Sequence, residues 1–154
     1  MFKIQELTYL NSKDLKVIRK SMEVMYGLIN RLDYVFMISK KNDIYIINNE
    51  FRTLDLDNLR ANSVGIYFGE FKNNEVRLSI EGSQIVGPFA NKNILKVDSK
   101  LAKMWMYGLD IPCKEEFSGF VIIFNKDNND YLGSGRYKEN KILNHVPKGR
   151  RIHE

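Results

Sequence analysis

The chain has 154 residues, of which 44% are hydrophobic and 28% charged, proportions that are ordinary for a globular protein and argue against disorder. Apolar runs such as Phe120 to Phe124 are far shorter than the roughly 20 residues of a membrane span, and the N-terminus has no hydrophobic signal core. The single cysteine, Cys113, excludes an internal disulfide and a thiolate metal cluster. We therefore expect a cytoplasmic protein that does not contact a membrane.

Positive charge is concentrated in the C-terminal part of the chain. The net charge is +5, and four of these five charges come from residues 92–154. This asymmetry favours a polyanionic partner such as a nucleic acid. A solvated charged face explains this composition equally well, and only motifs distinguish the two interpretations.

The first 91 residues are predicted to combine helices with antiparallel hairpins. Apolar residues at helical spacing predict an amphipathic helix over 13–29, with Ser12 as its N-cap. A short helix at 50–60 and a helical turn at 83–89 are also expected. Alternating, β-rich segments separated by polar turns predict strands at 34–39, 44–48, 63–71 and 75–81.

A polar tripeptide, Asn91 to Asn93, marks the predicted boundary between domains 1–91 and 92–154. The second domain is expected to begin with a strand at 94–97 and a helix that Asp98 caps, that runs to Tyr107 and that Gly108 stops. Two further strands are predicted at 120–125 and 131–137. The predicted fold class is α+β, with an N-terminal antiparallel sheet, flanking helices and a small C-terminal barrel.

Two segments of the second domain resemble the PUA domain, a small RNA-binding barrel found on RNA-modifying enzymes. The segment 95–108 is similar to its first strand and helix, and Leu132-Gly-Ser-Gly-Arg136 is similar to its glycine-marked strand. Together with Phe68-Gly-Glu-Phe71 and Arg77-Leu-Ser-Ile80, these motifs occur in the order seen in the Nip-seven family of large-subunit ribosome-biogenesis factors. The ending, 143–150, is more similar to the tail of PUA domains attached to bacterial-type rRNA methyltransferases than to the tail of eukaryotic Nip-seven proteins.

This resemblance implies a pre-PUA domain followed by a PUA pseudo-barrel in a non-catalytic protein that binds rRNA. It implies ribosome-assembly proteins as possible partners of the N-terminal domain. The family's RNA-binding face corresponds to Arg136, Tyr137, Lys138 and Lys141. A pre-PUA/PUA translation factor, an RNA-modification accessory protein or enzyme, and an adaptor that binds only proteins remain alternatives.

Side chains along a strand point alternately to its two faces, which limits which of these residues can contact one ligand. Arg136 and Lys138 share one face of a regular strand, whereas Tyr137 points to the other face. A bulge at the nearby glycines, Gly133 and Gly135, would change this arrangement. The alternative to RNA binding is that this strand forms a tight corner of the barrel and that its surface cations have no ligand.

Other cations are candidate RNA contacts outside this strand. Lys148, Arg150 and Arg151 form a basic cluster near the C-terminus, and Lys100 and Lys103 lie at helical spacing. The C-terminal cations are explained equally well as a solvated basic terminus, and the two lysines as the solvated surface of a helix.

No catalytic pattern is present. The chain lacks a phosphate-binding P-loop and a dinucleotide fingerprint, and Ser134 does not lie in a nucleophile elbow. His145 and His153 have no ligand partners at metal-binding spacing. We therefore expect no catalytic residue, no metal site and no cofactor.

Overall fold

The computed structural model describes residues 7–28, 30–51 and 65–153, which contain two five-stranded sheets and three α-helices. The strands of the first sheet are all antiparallel and lie in chain order: β1 (Leu7–Tyr9), β2 (Tyr34–Ser39), β3 (Asp43–Asn48), β4 (Ile66–Lys72) and β5 (Glu75–Leu78). The mixed α+β class predicted from the sequence is confirmed for this part of the chain.

The second sheet combines one parallel pair with antiparallel neighbours. Its strands, in chain order, are β6 (Ile94–Val97), β7 (Ile111–Pro112), β8 (Phe120–Asn125), β9 (Asp130–Lys138) and β10 (Lys141–Ile142). Their spatial order is β6-β8-β9-β10-β7, and β6 and β8 are the parallel pair. The helices are α1 (Ser12–Tyr26), α2 (Ile80–Val86) and α3 (Ser99–Met106). None of the described helices has the length and apolar character that crossing a membrane requires.

Helix α1 begins one residue earlier than predicted. Asn11, and not Ser12, is its N-cap, because the Asn11 side chain accepts a hydrogen bond from the backbone N–H of Asp14. Gly27 ends the helix in the left-handed conformation, with φ of 71°. The predicted last residue, Ile29, lies outside the described residues. The inner face of α1 buries Ile18, Met22, Met25 and Tyr26.

The strand predicted over 75–81 is wrong at its C-terminal end. β5 stops at Leu78 because the Ser79 hydroxyl accepts a hydrogen bond from Gly82 N–H and so starts α2. The helical turn predicted at 83–89 is the end of α2 followed by a 3₁₀ turn, Gly87–Phe89. A second 3₁₀ turn spans Asn49–Phe51, and the rest of the helix predicted at 50–60 lies outside the described residues, as do residues 63 and 64 of a predicted strand.

Strand β8 contributes to two hydrophobic cores. Phe120 and Ile122 pack with α1 and the first sheet, whereas Val121 and Ile123 pack around the fully buried Trp105 of α3. The boundary between the two sheets therefore falls near residue 91 of the chain, but each hydrophobic core contains residues from both sides of this boundary. The division into domains 1–91 and 92–154 stays a prediction.

The glycine-rich part of β9 connects the two sheets. Gly133 N–H donates to the Ser83 hydroxyl of α2 at 2.8 Å, and the Ser134 hydroxyl donates to the Leu78 carbonyl at 3.0 Å. Both hydrogen bonds are buried. The small residues of the predicted Gly-Ser-Gly step thus allow the backbone of β9 to approach α2 closely.

Candidate nucleic-acid interface

Strand β9 carries a bulge before it reaches its cationic residues. The register between β8 and β9 shifts between Ile122 and Phe124, next to Gly133, whose φ is +91°. The bulge expected at the glycines is confirmed. From Ser134 onward the ladder is regular, so the alternation of Arg136, Tyr137 and Lys138 is unchanged.

Two lysines face each other at the tip of the β9–β10 hairpin. Lys138 and Lys141 are partners across the ladder, joined by Glu139 and Asn140 with φ of 47° and 65°. Both lysines are exposed, and neither forms an ion pair within the described part of the chain. Directly opposed residues project from the same face, and like charges in this position repel each other. An anion between the two ammonium groups would relieve this repulsion.

Arg136 lies on the same face of β9 as Lys138 but is directed at the first sheet. Its Nη2 is 3.0 Å from Glu75 Oε1 of β5, and its guanidinium carbon is 4.4 Å from the centre of the Phe120 ring. The glutamate balances its charge, so Arg136 connects the sheets and contributes less positive potential than the two lysines do.

Tyr137 points to the opposite face of β9. Its ring packs edge-on against Phe117, with centroids 6.3 Å apart, and borders the second core. Its hydroxyl is 3.4 Å from Asn140 Oδ1. The structure therefore does not bring Tyr137 together with the lysines on one face.

The remaining predicted contacts are distributed over α3 and the C-terminal segment. Lys100 and Lys103 are exposed on α3, and Lys148 is exposed in a 3₁₀ turn, Lys148–Arg150. Arg150 is paired with Glu81 of α2 at 2.5 Å, and Arg151 donates to the Val146 carbonyl at 3.1 Å. Arg150 thus connects the C-terminal segment to α2, whereas the hydrogen bond of Arg151 lies within that segment.

Sequence reasoning missed a crevice at the junction of the two sheets. Arg77, His145 and Arg150 line it, together with Glu81 and Tyr67, and its volume is about 40 Å³. This space holds a few water molecules at most. The arginines are paired with acids here too, as Arg77 lies 3.9 Å from Glu70. The positive charges of the crevice are therefore balanced by acidic side chains, and we interpret these ion pairs as structural contacts. No local sequence signal places these residues together.

Burial and nearby charges act on two titratable groups of this crevice. Partial desolvation lowers the pKa of His145, although part of its surface remains exposed, and the neighbouring Arg77 and Arg136 lower it further, so the imidazole is neutral at pH 7. Burial raises the pKa of Tyr67 to about 12, which keeps its phenol protonated. Among the described residues, no three His, Cys, Asp or Glu side chains lie together in a way that could hold a metal ion.

Comparison with known proteins reveals a similarity to an RNA-modifying enzyme. No family model matches the chain. Over 138 residues, or 90% of its length, the chain is 25% identical to ribosomal RNA small subunit methyltransferase F of Vibrio vulnificus strain YJ016. The same values hold for the protein of that name from strain CMCP6. The chain spans 28% of the length of these relatives.

Proposed function

We propose that this chain is a non-catalytic RNA-binding protein that holds ribosomal RNA at the tip of the β9–β10 hairpin. The observation that carries this proposal is the pair of exposed lysines, Lys138 and Lys141, placed side by side without acidic partners in the described residues. Lysine ammonium groups bind phosphate as compact point charges. RNA is the favoured polyanion because the chain is similar to an enzyme whose name specifies ribosomal RNA.

In this proposal, residues 92–154 are a PUA-type domain and the chain acts in ribosome biogenesis, as the resemblance to the Nip-seven family implies. The mixed second sheet, with α3 packed against its core, supports a PUA-type fold. The N-terminal sheet and α1 are then the surface available to ribosome-assembly proteins.

A second candidate function is that of an accessory protein in rRNA modification. The similarity to methyltransferase F over 90% of the chain favours it. The two functions differ in a cell that lacks the gene. An accessory role predicts that a modified rRNA nucleoside is lost, whereas a biogenesis role predicts that ribosomal precursors accumulate with their modifications intact.

RNA binding is tested by fluorescence anisotropy with a labelled single-stranded RNA. Lys138→Ala/Lys141→Ala is compared with Lys41→Ala/Lys72→Ala, which removes the same charge from the exposed turn after β2 and from the exposed end of β4. We expect the hairpin variant to bind about tenfold more weakly, a loss of about 1.4 kcal/mol, and the control to bind like wild type. Arg136 stays unchanged because its ion pair with Glu75 would confound stability with binding. Equal binding by all three proteins contradicts the proposed site, and absence of binding by wild type contradicts the function.

A further inference from the structure

A second surface combines aromatic rings with lysines that have no ion-pair partner in the described part of the chain. A groove of about 720 Å³ lies between the linker that joins the two sheets, strand β6 and the loop that precedes β8. It is separate from the junction crevice, and none of the residues predicted from the sequence to bind RNA lines it. The side chains that define its chemistry are Lys92, Lys96, Asn91, Phe117, Phe124 and Tyr131.

The aromatic side chains are held in place but keep part of their surface exposed. Phe124 of β8 and Tyr131 of β9 have ring centroids 4.7 Å apart with planes inclined by 42°. Tyr131 also lies against Gly87, where an added Cβ would be only 2.3 Å from two ring carbons. Both rings and Phe117 are half-buried. Rings fixed by packing lose little conformational entropy when a base stacks on them.

The charges of the groove favour an anionic ligand. Lys92 and Lys96 are exposed, and the described residues contain no ion-pair partner for either. Glu115 is the acidic side chain among the residues that line the groove. The amide of Asn91 adds hydrogen-bond donors and an acceptor of the kind that read base edges.

The groove is connected with the hairpin through one aromatic contact. Phe117 lines the groove and also packs against Tyr137, which immediately precedes Lys138 on β9. Tyr137 itself lies on the face of β9 opposite Lys138, so the contact makes the groove a neighbour of the hairpin strand and not a continuation of its lysine face.

We propose that this groove binds one or two nucleotides of single-stranded RNA, with bases stacked on Phe124, Tyr131 and Phe117 and phosphates held by Lys92 and Lys96. The inference rests on the proposed RNA-binding function but assigns a separate site. The groove volume lies within the range of about 300–1,000 Å³ that is typical of small-ligand pockets. A peptide strand added to β6 is disfavoured, because β6 is a short edge strand with an exposed lysine, two features that discourage pairing at its free edge.

The test measures affinity for a labelled oligouridine RNA. Lys92→Glu/Lys96→Glu is compared with Lys41→Glu/Lys72→Glu, in which the same charge reversal occurs in the turn after β2 and at the end of β4. We expect the groove variant to bind about tenfold more weakly than this control, since it loses two phosphate contacts and gains repulsion. All four lysines are exposed, so both variants are expected to fold, and circular dichroism verifies this.

A second readout locates the bases directly. RNA that contains 4-thiouridine is crosslinked to the wild-type protein, and mass spectrometry identifies the modified peptides. The proposal requires a crosslink in a peptide that contains Phe117, Phe124 or Tyr131, together with the loss of affinity.

The outcomes separate this inference from the proposed function. If Lys138→Ala/Lys141→Ala loses affinity while the groove variant matches its control, the groove inference is overturned and the hairpin site stands. Crosslinks that miss all three aromatic peptides overturn it as well. If wild type binds no RNA, both proposals fail.

Discussion

Arg136 of β9 and Glu75 of β5 form an ion pair that joins the two sheets, with 3.0 Å between Nη2 and Oε1. The exposed fractions of these side chains are 42% and 28%, so solvent screens the pair only in part. The Phe120 ring beneath the guanidinium adds a cation–π contact, which is typically worth about 0.5–1 kcal/mol at exposed sites. Arg136 is therefore a structural residue as much as a candidate ligand contact.

A double-mutant cycle measures this pair. We expect Arg136→Gln and Glu75→Gln each to destabilise the protein, with a coupling energy of about 0.5–1 kcal/mol from urea unfolding. The pair of Lys20 and Glu23 on α1 serves as a control, because its 3.8 Å contact lies between largely exposed side chains. Its coupling should stay below about 0.5 kcal/mol. A coupling of zero for Arg136 and Glu75 would show that the ion pair contributes nothing to holding the sheets together.

The salt dependence of RNA binding reports how many phosphates the protein contacts, and its change in a variant reports how many of them the hairpin holds. About four phosphate contacts predict a slope of about −3 in a plot of log affinity against log salt concentration, at about 0.7 per phosphate. Lys138→Ala/Lys141→Ala should make this slope shallower by about 1.4, because two contacts are lost. A slope that is the same in both proteins means that the two lysines do not contact phosphate.

Substitution of Gly135 tests how closely β9 packs. An added Cβ would lie 2.1 Å from the Leu143 carbonyl oxygen and 2.7 Å from Cη2 of Trp105. Since backbone and a buried ring must then shift, Gly135→Ala should cost about 1–3 kcal/mol of unfolding free energy. Gly149→Ala is the matched control, because nothing lies within 4 Å of its Cβ position, and its effect should stay within about 0.5 kcal/mol. Equal melting temperatures for the two variants would contradict the packing at Gly135.

The stability of the protein should depend on the protonation of His145. Its pKa in the folded protein is lowered, whereas in the unfolded chain it is about 6.5. As pH falls below about 6.5 the unfolded state takes up a proton before the folded state does, so this residue reduces stability toward acid pH. His145→Gln should therefore lose less unfolding free energy than wild type between pH 7 and pH 5.

An NMR titration of the His145 ring verifies the cause. A pKa at or above about 6.5 in the folded protein would contradict this prediction, because the unfolded chain then has no greater affinity for the proton. At a folded pKa of about 6.5 the pH dependence of the wild type and of His145→Gln should coincide, and above that value the wild type should lose less unfolding free energy than the variant toward acid pH.

Local patterns predicted most of the secondary structure. The apolar spacing of α1 and the paired Asn73 and Asn74, with φ of 55° and 60°, are features that neighbouring residues determine. The strands β7 and β10 contain two residues each, too few to show a period, and they were not predicted. The alternating pattern places Ser79 in a strand, because a residue that caps a helix also fits the polar position of an alternating strand.

The candidate site was predictable only where its chemistry is local. The alternation of β9 correctly placed Arg136 and Lys138 on one face, with Tyr137 on the other. The glutamate partners of Arg136 and Arg150 are 61 and 69 residues away, and no local pattern points to such distant residues. The aromatic groove was missed for the same reason, since Phe117, Phe124 and Tyr131 come from a loop and two strands and each fits an ordinary buried position.

The two-sided packing of β8 has a consequence for how strictly this strand must be aligned. A slip of one residue would turn Phe120 and Ile122 toward the core that Val121 and Ile123 now fill. Val121 and Ile123 would then face the core that Phe120 and Ile122 now fill. Such an exchange damages both cores at once, so the strand has a single acceptable register. Because neither core is complete without β8, we expect the described halves of the chain to melt in one cooperative transition.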